Sequence, residues 1–439
     1  MRILLVSPYY PPQASIAATR VHSHAITWAR AGADVTVLTT SKQPDQRGAE
    51  VDSPGVRVEE IPFHIPAVLQ TMRRVRQAPQ PASDGVSLRA GVRSPLALLR
   101  SARQRTGVFA SVRMPDLTDF WVRPAVQRAL EMARERGPWD VVVASSGPYT
   151  ALLAARRIVR AGAANHFVAE FRDLWTGNHI FRGCFPFTIV EAAAERGVLR
   201  DADLCVTVSE PLAQWLRART AAPVEVVYNG HDGRRPLPAG SRTRDLVYTG
   251  SLYAKGQDPG PLFAGLALLV KERPEAAEGV RIVVAGPSSR EEASAWLKAA
   301  DTHGLTDRLS LPGRLSHEQA KDLQDRALAL VSIEWRGCAG VLTGKIFEYL
   351  AARPPILVIG PEGTIAALVR QCGRGVATGD DPAEIARVIA SAADGSLEQS
   401  LTPDEAAIAS LTRENQSAHM LELIRNRIAE RERQLDAVS

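Results

Sequence analysis

Short apolar runs alternate with amphipathic stretches of helical spacing along most of this chain. Ile3-Leu4-Leu5-Val6 reads as a strand, Pro8-Tyr9-Tyr10-Pro11-Pro12 interrupts it, and a helical pattern spans about 17–31. Gly32-Ala33-Asp34 then leads into a strand at Val35-Thr36-Val37-Leu38. Strand, helix and strand at this length require parallel strands and a right-handed crossover. Further strands are predicted at 141–143, 167–169, 204–208 and 224–227, which makes an open doubly wound sheet ending near Asn229-Gly230. The stretch 232–244, rich in Gly, Pro, Arg and Ser, reads as a linker. A second alternating series follows: strands at 246–249, 280–285, 309–311, 327–333 and 356–358, with helices at 261–271, 291–300 and 318–325. The pattern closes with an amphipathic helix at 415–434, either packed back on the first domain or left as a solvated tail. The expected domains are 1–235, 236–412 and a terminal helical segment 413–439.

The region from about 42 to 123 breaks the alternation. Between Arg73 and Arg113 nine arginines (Arg73, Arg74, Arg76, Arg89, Arg93, Arg100, Arg103, Arg105, Arg113) stand against one acid, Asp84. Leu96-Ala97-Leu98-Leu99 with its flanking arginines fits a basic amphipathic helix. Such a segment touches anionic lipid, covers an acceptor, or is a surface insertion with solvated charge. The formal charge of the whole chain, +5, is too small to argue for nucleic acid. Cys184, Cys205, Cys338 and Cys372 lack metal-ligand spacing and read as reduced thiols of a cytoplasmic protein. Met1-Arg2 leads straight into a strand, so no signal peptide is expected, and no apolar run reaches the ~20 residues of a membrane span.

Chemistry concentrates at 340–360. The sequence there reads as a loop, a helix opened by Thr343-Gly344-Lys345, and an apolar strand after Pro354-Pro355. A lysine in the first turn opposes the helix dipole, which makes sense where an anion sits on the free N–H groups of that end. The chain has only six lysines (Lys42, Lys255, Lys271, Lys298, Lys321, Lys345), so this one is hard to dismiss as filler. One turn on, Glu348 offers a carboxylate that can take two hydrogen bonds from a vicinal diol such as a ribose. Anion site and diol clamp together suggest a nucleoside diphosphate. The plain alternative is a solvated lysine and a surface glutamate. Two other signals read as structural: Asp201-Ala202-Asp203 precedes a buried strand, and His22 and His24 do not share a helix face.

These landmarks, taken in order, resemble the retaining GT-B glycosyltransferases of family 4. They are 1–12, Glu170-Phe171-Arg172-Asp173-Leu174-Trp175, Ala202-Asp203 with 206–209, 228–232, Tyr248-Thr249-Gly250-Ser251-Leu252, and the 340–360 stretch. The resemblance implies an α/β protein of GT-B fold, with two Rossmann-like doubly wound parallel-sheet domains facing a cleft. It places the second glutamate of the family's paired motif on Glu348 and the first on Gly340, a departure that removes one carboxylate near the donor sugar. Donor-binding residues would be Glu348, Lys345, Thr343, Gly344, Leu342, Gly340, Gly250, Ser251 and Arg314. Ser251 stands where an arginine is usual, leaving Lys255 to neutralise the leaving diphosphate. The first-domain loop, normally glycine-rich, is 13–18 here and has no glycine. Ser15, Ile16, Ala17, Arg20, Ser146 and Gly147 would line the acceptor or phosphate loop, with Arg20 reaching an anion or pairing with an acid. Asp173, beside Arg172, is the candidate acceptor-side base or hydroxyl ligand; its alternatives are a salt bridge with Arg172 or a helix cap.

The implied activity is metal-independent transfer of a sugar from a nucleoside diphosphate sugar, a co-substrate rather than a cofactor. The acceptor would be a small natural product or metabolite, or a glycolipid. The enzyme would be bacterial and cytoplasmic, with possible peripheral inner-membrane contact through the Arg-rich insertion. Two rivals stand beside it. One is a non-hydrolysing sugar-nucleotide epimerase, which wants acid and base groups not evident here. The other is a catalytically silent nucleotide-binding partner protein.

Overall fold

Every strand read from the pattern forms, and two more join them. The computed structural model describes residues 1–13, 15–42, 48, 51–67, 69, 105–236, 242–253, 256–287, 290, 292–337 and 340–436. Ala14, Lys255, Cys338, the arginines from Arg73 to Arg103 and the stretch 96–99 lie outside the described residues.

The first unit contains β1 (Arg2–Val6), α1 (Ile16–Arg30), β2 (Asp34–Thr40), β3 (Val56–Ile61), α2 (Asp119–Arg136) and β4 (Trp139–Ser145). It continues with α3 (Thr150–Arg160), β5 (Ala164–Phe171), α4 (Phe187–Asp201), β6 (Leu204–Thr207), α5 (Glu210–Arg217) and β7 (Val224–Val226). All seven strands are parallel, in the order β3-β2-β1-β4-β5-β6-β7. The presumed insertion therefore needs correcting at both ends, because it contains β3 and the first turn of α2. β3 escapes the pattern because Val56-Arg57-Val58-Glu59-Glu60-Ile61 is a half-exposed edge strand, defined by pairing with β2 rather than by its own apolar face.

Both faces of this sheet are covered. On one side Trp121, Trp139, Tyr149 and Phe167 pack with α2 and α3. On the other, Ile3, Leu5, Val35 and Val37 meet Val21 and Trp28 of α1 and Met420, Leu421 and Ile424 of the C-terminal helix. That helix, Arg413–Asp436, belongs to the first unit, whose main stretch ends at Asn229. Trp28 Nε1 donates to Ser417 O at 2.8 Å, and the Tyr228 N–H donates to Gln416 Oε1 at 2.7 Å. Each large apolar side chain buried this way contributes about 1.5–3 kcal/mol.

The second unit, 230–412, repeats the architecture. It runs β8 (Asp245–Thr249), α6 (Gly260–Glu272), β9 (Arg281–Ala285), α7 (Ser294–Thr302), β10 (Leu309–Gly313), α8 (His317–Asp325) and β11 (Ala329–Ile333). Then come α9 (Gly344–Ala351), β12 (Ile356–Ile359), α10 (Thr364–Gln371), β13 (Gly375–Ala377), α11 (Pro382–Ala393), α12 (Ser396–Ser400) and α13 (Glu405–Ser410), before the C-terminal helix α14. Its six strands are parallel in the order β10-β9-β8-β11-β12-β13. Strand order reverses between β1 and β4 in the first sheet and between β8 and β11 in the second. Ligands of open α/β sheets bind at the carboxyl ends of strands beside such reversals. No described helix is long and apolar enough to cross a membrane.

Candidate functional site

At the carboxyl end of β8 the chain turns through Gly250, whose φ of +90° suits glycine, and Ser251. The neighbouring loop after β9 comes so close that a Cβ on Gly286 would lie 2.6 Å from Gly250 O. These two loops, with Arg314 and Leu315 after β10 and Ala320 of α8, line a pocket of about 350 Å³ that also includes Glu292. Gly250, Ser251 and Arg314, singled out separately in the sequence, thus share one wall.

Lys345 joins them from the first turn of α9. Its ammonium donates to Tyr248 Oη and to Ser251 O (3.3 Å), and lies 3.8 Å from the Tyr248 ring centroid. Tyr248 Oη in turn donates to Ser251 O at 2.9 Å. Burial pushes the Lys345 ammonium down to about 7, although the nearby Glu348 charge pulls the other way. Thr343 is the N-cap of α9; its side chain makes no cap bond, and the Ile346 N–H turns back to Thr343 O at 3.2 Å. Leu342 is buried and supports the loop through packing rather than reaching a ligand with a polar group. Gly340 has φ +92°. A glutamate there would sit in the left-handed region, which is costly for any residue with a Cβ.

Glu348, half-buried, is held by a network the sequence did not reveal. Gln324, fully buried in α8, donates to Glu348 Oε2 at 3.3 Å and to Thr249 Oγ1 at 3.0 Å. Arg235 donates to Gln324 Oε1 at 2.7 Å and to Glu348 O at 3.0 Å. The Thr249 N–H donates to Tyr349 Oη at 2.8 Å, which ties α9 to the end of β8. Nothing in the local sequence marks Gln324, since a lone glutamine on a polar helix is ordinary.

The first unit gathers its candidates around β4 and β5. Arg172 donates to Ser146 O at 2.6 Å and to Gly147 O at 2.7 Å, stapling the loop after β4 to the end of β5. Asp173 beside it is exposed, and it neither pairs with Arg172 nor caps a helix among the described residues. Ser15 is the N-cap of α1, accepting from the Ala18 N–H at 3.1 Å, while Ile16 is exposed and Ala17 half-buried in the first turn. Arg20 does not stand free for an anion. It donates to Glu170 Oε1 at 2.9 and 2.7 Å and to Val227 O at 2.9 Å, deep in the unit. His24 completes the cluster, bonded to Ser417 Oγ at 2.9 Å and 3.3 Å from Glu170 Oε1. Burial opposes ionisation of Glu170, but Arg20 and His24 hold its carboxyl well below the usual carboxylate range.

Asp201 is spent on Arg156 (2.6 Å) and Arg160 (3.1 Å), and Asp203 on the Phe167 N–H (2.9 Å) and Arg431 (3.1 Å). Among the described residues no group of three or more His, Cys, Asp or Glu side chains comes together as a metal site. Cys205 and Cys372 are buried, and burial pushes their thiols up to about 12 and about 11.

Residues 17–230 match the family model of a glycosyl transferase 4-like domain. No curated protein sequence matches the chain. Solved structures do resemble it. A sucrose-phosphate synthase from Thermosynechococcus elongatus superposes with TM-score 0.58 at 15% identity, covering 100% of both chains. Anabaena HepE in complex with UDP gives 0.60 at 14% identity, over 97% of this chain and 100% of its own. A glycosyltransferase from Rickettsia africae gives 0.55 at 11% identity, over 97% and 98%. Residues 17–230 are thus similar to a glycosyl transferase 4-like domain, and the chain as a whole has the GT-B fold.

Proposed function

We propose that this chain is a retaining glycosyltransferase that takes its sugar from a nucleoside diphosphate sugar bound on the second unit. The observation that carries the reading is the hydrogen bond of Lys345 to Ser251 O, on the pocket wall that also carries Gly250, with Glu348 oriented from the same helix. The α9 N-terminus and the Lys345 ammonium suit the diphosphate, Glu348 suits the ribose, and the pocket wall carrying Arg314 suits the base. Structures of Anabaena HepE hold UDP and UDP-glucose, ligands of this chemistry. In the reaction the bond from sugar C1 to the diphosphate oxygen breaks and a bond from C1 to the acceptor heteroatom forms. The acceptor proton passes to the departing phosphate, so no strong protein base is needed. Lys345 and the helix N–H groups stabilise the leaving charge without a metal. Asp173, exposed after β5, would orient the acceptor, a small metabolite or natural product or a glycolipid.

Thermal shifts with UDP, GDP, dTDP and ADP on wild type and Glu348→Ala test the donor site. One diphosphate that stabilises wild type and not the variant supports it and names the base. No stabilisation by any of them refutes it. Binding without turnover of the matching donor sugars would instead support a silent nucleotide-binding partner. The anomeric configuration of the product, read by NMR, tests retention.

A further inference from the structure

The start of α4 is built inside out. Glu191 and Glu195, one turn apart, are 0% and 4% exposed. Glu191 accepts from the Met114 N–H at 2.7 Å and from Trp175 Nε1 at 3.2 Å, and pairs with Arg113 at 2.9 Å. Glu195 accepts from the Thr176 N–H at 3.1 Å and from its hydroxyl. The residues left facing out are large and apolar: Phe185 is 77% exposed, Phe187 38%, Ile189 62% and Val190 54%. A surface helix of a globular protein does the opposite. The helix cannot roll to hide these side chains, because that would strand two carboxylates and cost the buried Arg113 its ion pair. A contiguous exposed apolar patch held in place this way marks a contact surface.

The charges around the patch identify what it contacts. Between Asp173 and Asp201 the only acids are Glu191 and Glu195, both turned inward. The cations Arg182 and Arg196 are exposed, and so is Arg105, whose carbonyl accepts from the Arg182 N–H at 3.5 Å. The Gly183 N–H donates to Thr106 O at 3.0 Å, so the chain leaving the Arg-rich segment is tied to the loop that carries Phe185. A second copy of the same face would set arginine against arginine. An anionic, partly apolar surface satisfies both components at once.

We propose that this face docks on an anionic lipid membrane, with Phe185, Phe187, Ile189 and Val190 entering the headgroup–acyl boundary and Arg105, Arg182 and Arg196 against lipid phosphates. The proposal does not depend on the donor site. It goes beyond the basic character of the Arg-rich segment, because it assigns the contact to four apolar side chains.

The test is flotation of the full-length protein with vesicles of phosphatidylglycerol and phosphatidylethanolamine, with phosphatidylcholine vesicles as control. Wild type is compared with a variant carrying Phe185→Ser, Phe187→Ser, Ile189→Ser and Val190→Ser. These positions are exposed, and thermal melting checks that the variant stays folded. The expected result is salt-sensitive binding to anionic vesicles only, weakened at least roughly tenfold in the variant. A second variant, Ile189→Ser with Val190→Ser, should show an intermediate loss. Wild type that ignores anionic vesicles would overturn the proposal. So would a four-serine variant that binds as well as wild type, or a concentration-dependent dimer that the variant abolishes without any vesicle binding.

Discussion

Filling the pocket of the second unit above neutral pH should draw a proton from solution, and Lys345 is where that proton goes. The fold pushes its ammonium from 10.5 down to about 7 by burial. At pH 8 an amine with that pKa is only about one-tenth charged. A diphosphate on the N-terminus of α9 favours the charged form and returns the pKa toward the ordinary lysine range. Binding at pH 8 therefore takes up about 0.9 proton, and affinity falls by up to about tenfold per pH unit from pH 7 toward 10. The last ionisation of a phosphate lies near ~6, so the nucleotide itself contributes almost nothing at pH 8. Titration calorimetry in two buffers of different ionisation enthalpy counts the protons. Binding with uptake near zero, or equal uptake in Lys345→Met, would refute the reasoning. The same shift affects stability. The folded pKa lies below the unfolded one, so between them the unfolded chain holds more protons and stability rises with pH. The rise from about 7 to 10.5 has a ceiling of about 5 kcal/mol, which solvent at this half-buried side chain reduces to a few.

Lys42 should add to that rise, since burial also pushes its ammonium down to about 7; Lys42→Met should flatten the stability gain between pH 7 and 10 in denaturant melts. Gln324→Leu leaves Glu348 Oε2, Thr249 Oγ1 and Arg235 short of a partner, so the urea midpoint should fall by about 1–3 kcal/mol with weaker nucleotide binding in titrations. Gly340→Glu restores the family's carboxylate on a backbone of φ +92°; melting should show a cost of about 1–2 kcal/mol, and donor affinity should not improve. Glu170→Gln leaves Arg20 buried with half its partner and should cost about 3–5 kcal/mol. Because the Glu170 pKa is lowered in the fold, its contribution is present above the unfolded carboxylate pKa and lost as pH falls through the folded one; the variant should show a shallower acid limb in pH-dependent melts.

The periodicity of the chain was enough to read its two parallel sheets. Apolar runs such as Ile3–Val6 and Ile356–Val358 are buried on both faces, so the hydrophobic effect alone marks them as strands wherever they end up in space. β3 and the start of α2 were hidden because an exposed edge strand and a helix joined to an arginine-rich run carry little apolar signal of their own. In the second unit, Lys345 and Glu348 stood out in the sequence because a lysine at a helix start contradicts the dipole, and a contradiction is informative. Gly340 showed only as a departure from the resemblance, and its left-handed backbone angle is something that no side-chain pattern records.

Partnership lay beyond the sequence. Arg20 lies 150 residues from Glu170, and Gln324 lies 24 from Glu348 and 75 from Thr249. Whether Arg20 is an anion ligand or one half of a buried ion pair depends on what the fold brings within 3 Å of it. The same holds for the outward apolar face of α4: Glu191 and Glu195 turn inward only because Arg113, Trp175 and Thr176 are there to receive them. Local sequence determined which segments are strands and helices, because burial and backbone propensity act over a few residues. Tertiary structure decided which charges are spent and which are left for ligands, because a desolvated charge is stable only beside a partner, and partners here arrive from distant parts of the chain.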